Sequence, residues 1–176
     1  KAAEDLPALP DAQGRSPVQT LICRAIADAV KAEIVFHGTL SKEPLRAGVI
    51  TRGDILNLVP YENRIGIALL TSEELSAVVA ENAGRQGTIN HMGVWGLDVV
   101  RQPDGTTVLR RPDGRPLHPR QRFRVAFNSY VLASGGQRFP ELRAICARPE
   151  SRLELTARDT RGVVTEYIRA HSPLRL

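Results

Sequence analysis

Cysteine is nearly absent from these 176 residues, which carry only Cys23 and Cys146. Two thiols so far apart in sequence make no metal motif, and Cys23 falls on an apolar helical face, where it serves as a small buried hydrophobe. Long apolar runs are missing as well. The longest, Ile65 to Leu70, falls far short of a membrane-spanning length, so the chain is not expected to cross a bilayer. No stretch reads as a secretion signal, and the first residue is Lys1 rather than Met. The chain is therefore expected to be a processed or excised piece, with any targeting segment lost upstream. Lysine is confined to Lys1, Lys31 and Lys42, so arginine supplies almost all the positive charge. The densest group is Arg110, Arg111, Arg115, Arg120, Arg122 and Arg124, in a region punctuated by Pro and Gly with no aromatic platform beyond Phe123. Despite a net charge of +5, it reads as solvated surface, and no nucleic-acid partner is expected. The histidines His37, His91, His118 and His171 are scattered, with no pair at the helical i,i+4 spacing of a metal site.

What is present describes one folded domain. The chain is 42% hydrophobic and 24% charged, long enough to bury a core without covalent staples. Residues 1–15 contain Pro7, Pro10 and Gly14 with little periodicity and read as a leading linker, leaving residues 16–176 as the domain. Ser16 caps a helix with Pro17 at its first position and an apolar face of Val18, Leu21, Ile22, Ala25, Ile26, Ala29 and Val30. A short strand over Glu33 to Phe36 follows. Thr71 and Glu74 form a capping box for a helix running through Asn82. Val94 to Val100 and Thr107 to Leu109 flank the hairpin signal Pro103-Asp104-Gly105, and Phe123 to Phe127 reads as another strand. Gly135 and Gly136 permit a tight backbone excursion that delivers Phe139, and Ser134 before them lacks the context of a nucleophile elbow. Leu153 to Leu155 suggests a last strand, before a terminal helix that Asp159 or Thr160 would cap. Helices and strands mix without a strict βαβ rhythm, which favours α+β over a doubly wound sheet.

The stretch from Gly48 to Asn63 says most about function. Thr51 can cap a helix over Arg52 to Val59, with Asp54 in the first turn where the helix dipole favours a carboxylate. Pro60 stops it, and the polar turn Tyr61-Glu62-Asn63 precedes the strand Ile65 to Leu70. An aromatic ring held between a helix stop and a strand start is placed either to fill the edge of a core or to present its face to a planar ligand.

Four landmarks then resemble, in order and at natural spacing, the C-terminal domain of the 5'-nucleotidase, UDP-sugar hydrolase and 2',3'-cyclic-nucleotide phosphodiesterase family. SPVQTLICRAIADAVKAEIVF looks like the family's opening helix and strand. GVITRGDILNLVPYEN looks like its GEIT, helix, PFGN pattern, and RIGIALLTSEEL like its next strand and helix. DGRPLHPRQRFRVAFNSYVLASGGQRF resembles its DGKPLDP, strand, Asn-Asp-Tyr, GGDGF sequence.

The resemblance implies a four-layer α/β/β/α fold that binds the nucleoside part of a nucleotide, with no cofactor of its own. Two rings would sandwich the base, at positions matched here by Tyr61 and Phe139; such stacking is worth roughly 1–3 kcal/mol per base and tolerates different bases. Asn63 matches the Asn of PFGN and would reach the base edge, and Gly93 matches the Gly of the family's Ser-Gly loop. Two departures stand out. The family's NGGGIR turn appears as HGTLSK, with His37 for Asn and Lys42 for Arg, and a lysine keeps charge but loses bidentate recognition. GGDGF has become GGQRF, with Gln137 and Arg138 in place of Asp-Gly.

The family's phosphoester hydrolysis belongs to an N-terminal metallophosphoesterase domain with two divalent metals, whose D-x-H, GNHE and GHTH signatures are missing from this sequence. The resemblance therefore implies a substrate-binding part of a periplasmic or secreted hydrolase, partnered by that N-terminal domain and a nucleotide-like small molecule, and inactive alone. The alternative is a binding module that keeps the fold and has lost nucleotide recognition.

Overall fold

The computed structural model describes residues 1–88, 90–133 and 137–175. Helix α1 (Pro17–Val30) starts where Ser16 accepts a hydrogen bond from the Gln19 amide, and its apolar stripe is buried apart from a partly covered Ala29. Strand β1 (Ile34–His37) leads toward helix α2 (Arg52–Leu58), whose capping box joins Thr51 and Asp54 in both directions. Strand β2 (Arg64–Thr71) runs straight into helix α3 (Ser72–Ala83), capped by the expected Thr71 and Glu74 pair. Strands β3 (Gly93–Trp95), β4 (Asp98–Arg101), β5 (Thr107–Arg110) and β6 (Arg122–Asn128) come next. Short helices α4 (Ser129–Leu132) and α5 (Pro140–Cys146) precede strand β7 (Glu154–Asp159) and helix α6 (Thr160–Ala170), which the Asp159 carboxylate caps through the Gly162 amide.

The strand expected over Val94 to Val100 is two strands in two sheets. The break falls at Gly96, with φ +78, where a side chain would overlap the Glu33 carbonyl. β3 joins a five-stranded sheet in the order β3-β1-β6-β2-β7, while β4 pairs with β5 in a separate two-stranded sheet. Within the larger sheet β1 and β6 are parallel and the other neighbours antiparallel.

Both faces of the sheet are buried along its inner strands, which is why β2 reads as an unbroken apolar run rather than an alternating one. Ile65, Ile67, Val35 and Ala126 point into a core closed by α1, α2 and α6. Ala68, Leu70, Phe36, Phe123 and Phe127 point into a second core under α3 and α5, with the rings of Phe36 and Phe127 stacked at 5.3 Å. Cys23 belongs to the first core and Cys146 to the second, so the sheet separates them and both are free thiols. The α+β class expected from the sequence is the one the chain adopts, with two sheets and six α-helices among the described residues.

Residues 1–15, read from sequence as a leading linker, lie against the domain. Ala2 and Leu6 pair their backbones with Gly48 and Leu45, Asp5 accepts from the Ala47 amide at 2.7 Å, and Ala2, Leu6 and Ala8 are buried. Their contacts are isolated bridges rather than a periodic strand, so they leave no repeat in the sequence. Among the described residues no helix is long and apolar enough to cross a membrane.

Candidate functional site

The parallel pair β1 and β6 end at the same edge of the sheet, and antiparallel β2 and β3 begin there. Register makes this a row: Gly93 pairs with His37, and Ile65 pairs with Asn128, while β1 lies beside β6. Every residue expected to touch a ligand belongs to a segment that leaves or enters the sheet at this end. Lys42 lies beyond His37, Tyr61 and Asn63 lie just ahead of β2, and Phe139 follows Asn128 through α4. Carboxyl ends of parallel strands, where loops diverge, are common places for ligands.

The positions differ in what they offer. His37 is 1% exposed, and its Nδ1 donates to the Gly38 carbonyl at 2.6 Å. Gly93 is closed off by the chain itself, because a side chain there would run into the Gly14 carbonyl and the Gln19 amide. Asn63 uses its carbonyl to accept from the Thr160 amide at 3.0 Å, and Lys42 is exposed. Tyr61 is 62% exposed at the tip of a turn that Arg161 fixes. The Arg161 guanidinium donates to the Val59 carbonyl at 2.8 Å and the Pro60 carbonyl at 2.7 Å, and pairs with Glu62 at 2.6 Å. Phe139 is 3% exposed, inside the second core. The two rings of the expected clamp are therefore in opposite states, one open and one enclosed.

Burial holds the His37 imidazole below the ordinary histidine range, against the opposing effect of its bond to Gly38. Since the folded chain disfavours the charged ring, the unfolded chain binds more protons once pH falls below about 6.5. Stability is thus expected to be complete above that value and to decline as pH drops through it. Half-buried His91 shifts in the same direction, whereas Asp54, held low by the Thr51 hydroxyl and amide, contributes only in the carboxylate range. Urea unfolding at pH 7.5 and 5.5 checks this: His37→Gln should lose a smaller fraction of its stability over the interval than the parent.

Around Phe139 the loops are tied by several side chains, of which Gln137 and Arg138 stand out in the sequence and Asn82 and Arg85 do not. Asn82, 4% exposed, accepts from the Met92 amide at 2.9 Å and donates to the Met92 carbonyl at 2.8 Å. Arg138 donates to the Asn90 side chain at 2.7 Å and the Tyr130 hydroxyl at 2.9 Å, and also lies over the Tyr130 ring. Arg85 places its guanidinium 4.6 Å above the centre of the Phe139 ring. Gln137 takes a left-handed backbone at φ +59, uncommon for a residue with a side chain. The tight excursion expected at Gly135 and Gly136, and Ser134, lie outside the described residues.

His91 lines a separate hollow of about 810 Å³ between α3 and the β4–β5 hairpin. Among the described residues no three His, Cys, Asp or Glu side chains gather to hold a metal ion, so these residues do not fit a dimetal centre. Neither thiol is poised as a nucleophile: burial raises both, Cys146 to about 12.

The sequence profile of the 5'-nucleotidase C-terminal domain matches residues 2–144. No curated protein matches the chain. Among solved structures, a 5'-nucleotidase precursor from Thermus thermophilus superposes with a TM-score of 0.80 at 19% identity, covering 99% of this chain and 37% of that one. The NAD nucleotidase NadN of Haemophilus influenzae gives 0.76 at 13% identity, covering 96% and 34%. The sulfate thiohydrolase SoxB of Thermus thermophilus gives 0.65 at 19% identity, covering 95% and 31%. At these identities the likeness is one of fold, and the chain spans about a third of the length of each neighbour. The profile match extends over most of the sequence, and the chain belongs to the 5'-nucleotidase C-terminal domain family.

Proposed function

We propose that this chain is the nucleoside-recognising part of a metal-dependent nucleotide hydrolase, periplasmic or secreted, whose catalytic domain is another part of the same polypeptide. The observation that carries the reading is the exposed Tyr61 ring on a turn locked by Arg161, just ahead of β2. A ring on a rigid turn loses little freedom when a base stacks on it, so more of the stacking energy appears as affinity. In this reading the Asn63 amide reads the base edge, buried His37 shapes the floor, and Gly93, packed against Gly14 and Gln19, holds the loop beside it. Lys42 supplies a positive charge above it. Two divalent metals in the separate domain would supply the activated water and clamp the phosphate, while this chain holds the rest of the substrate.

A second reading has its own support. Phe139 is enclosed, Arg138 already bridges Asn90 and Tyr130, and the neighbouring fold includes a protein described as a sulfate thiohydrolase. On this view the domain keeps the architecture and recognises something other than a nucleotide.

Calorimetry with AMP, adenosine and a UDP-sugar separates the two. The first reading expects dissociation constants of about 1 mM or tighter for at least one of them. Absence of binding to all three leaves the second.

A further inference from the structure

We infer that Arg85 is a displaceable cap on the Phe139 ring and that, once displaced, it selects a ligand carrying an anionic group. The inference rests on the nucleotide-binding reading and adds to it a specificity residue. Arg85 lies just past the C-terminus of α3, and its guanidinium covers one face of Phe139. The Arg85 Nε is buried with no hydrogen-bond acceptor, the one side-chain N or O atom in that condition among the described residues. The acidic residue one turn earlier, Glu81, is committed elsewhere, accepting from the Glu141 and Leu142 amides that open α5.

Two opposing effects act on this side chain. Attraction between a cation and an aromatic face holds it down, while a buried N–H without an acceptor favours letting it go. They are of the same order, so the cap is weakly held. Its backbone is not: the Arg85 amide donates to the Asn82 carbonyl at 3.0 Å and its carbonyl accepts from the Thr88 amide at 3.0 Å. Release of the ring therefore needs only a side-chain rotation.

A guanidinium is flat, and a base ring can take its place on Phe139. The freed guanidinium then needs an acceptor. A phosphate offers paired oxygens that match its fork, and a neutral nucleoside offers no comparable group. The cap thus discriminates against ligands that displace it without satisfying it.

The test is calorimetric titration of AMP and adenosine into the whole chain, as wild type, Arg85→Ala and Phe139→Leu; leucine keeps the apolar fill and removes the aromatic face. Wild type should prefer AMP by about tenfold, a difference of about 1.4 kcal/mol. Arg85→Ala should bind adenosine more tightly than wild type and lose most of that preference, and Phe139→Leu should weaken both ligands. In ligand-free protein the Arg85 side-chain NMR signals should carry a ring-current shift that disappears in Phe139→Leu. Unchanged affinities in an Arg85→Ala variant that still binds AMP overturn the cap while leaving the nucleotide reading intact. Failure of every variant to bind either ligand removes that reading and the cap together.

Discussion

Gly96→Ala is expected to lower the stability of the domain by about 2–5 kcal/mol, from left-handed backbone strain together with overpacking. Gly96 sits at φ +78, and the Cβ of any other residue would overlap the Glu33 carbonyl next to β1. The backbone cannot yield locally, because Glu33 is tied by its amide to the Arg124 carbonyl at 2.8 Å, joining the start of β1 to β6. Gly105→Ala separates the two costs. Gly105 has φ +86 in open space, so only the backbone strain applies, about 1–2 kcal/mol. Urea unfolding of the two variants should rank Gly96→Ala as clearly the more damaging. Equal losses would mean that close packing between the start of β1 and the β3–β4 junction contributes nothing.

Phe139→Ala should cost about 3–5 kcal/mol of stability, whereas Tyr61→Ala should change it by no more than about 0.5 kcal/mol. The difference follows from burial, 3% exposed against 62%. It also decides which variant can report on binding. A truncated Phe139 leaves a void in the second core, so weaker binding there would mix recognition with unfolding. Tyr61 can be truncated with the fold intact, and if it stacks on a base the dissociation constant should rise about tenfold or more, at the lower end of the range for such contacts. Thermal melting and calorimetry on the same two samples provide both readings. An unchanged affinity in Tyr61→Ala would remove this ring from the site.

Much of this was legible in the residues because helix starts are local. Ser16, Thr51, Thr71 and Asp159 each accept from an amide three residues on, and a sequence displays that spacing. Helix α5 escaped for the converse reason. Phe139, at the N-cap just before it, supplies no side-chain cap, and the carboxylate that satisfies the helix's first amides is Glu81 on α3. A cap donated across the fold has no local signature. The same holds for the division at Gly96, whose cause is the Glu33 carbonyl, and for Arg85, whose position over Phe139 follows from tertiary packing alone. At the candidate site, the family landmarks all fall on segments that enter or leave one end of the sheet. They carried no information on whether Phe139 would be covered, since the covering side chain lies outside them.

Arg161 has one more consequence, a matter of timing. The turn that presents Tyr61 is made early in the chain, but the guanidinium that fastens Val59, Pro60 and Glu62 comes from α6, beyond the last residue of the profile match. As the polypeptide leaves the ribosome, the sheet strands β1, β2, β3 and β6 can all be in hand while this turn still has nothing to grip it. The turn that carries Tyr61 is thus fastened only once α6 has been made, well after the strand it leads into.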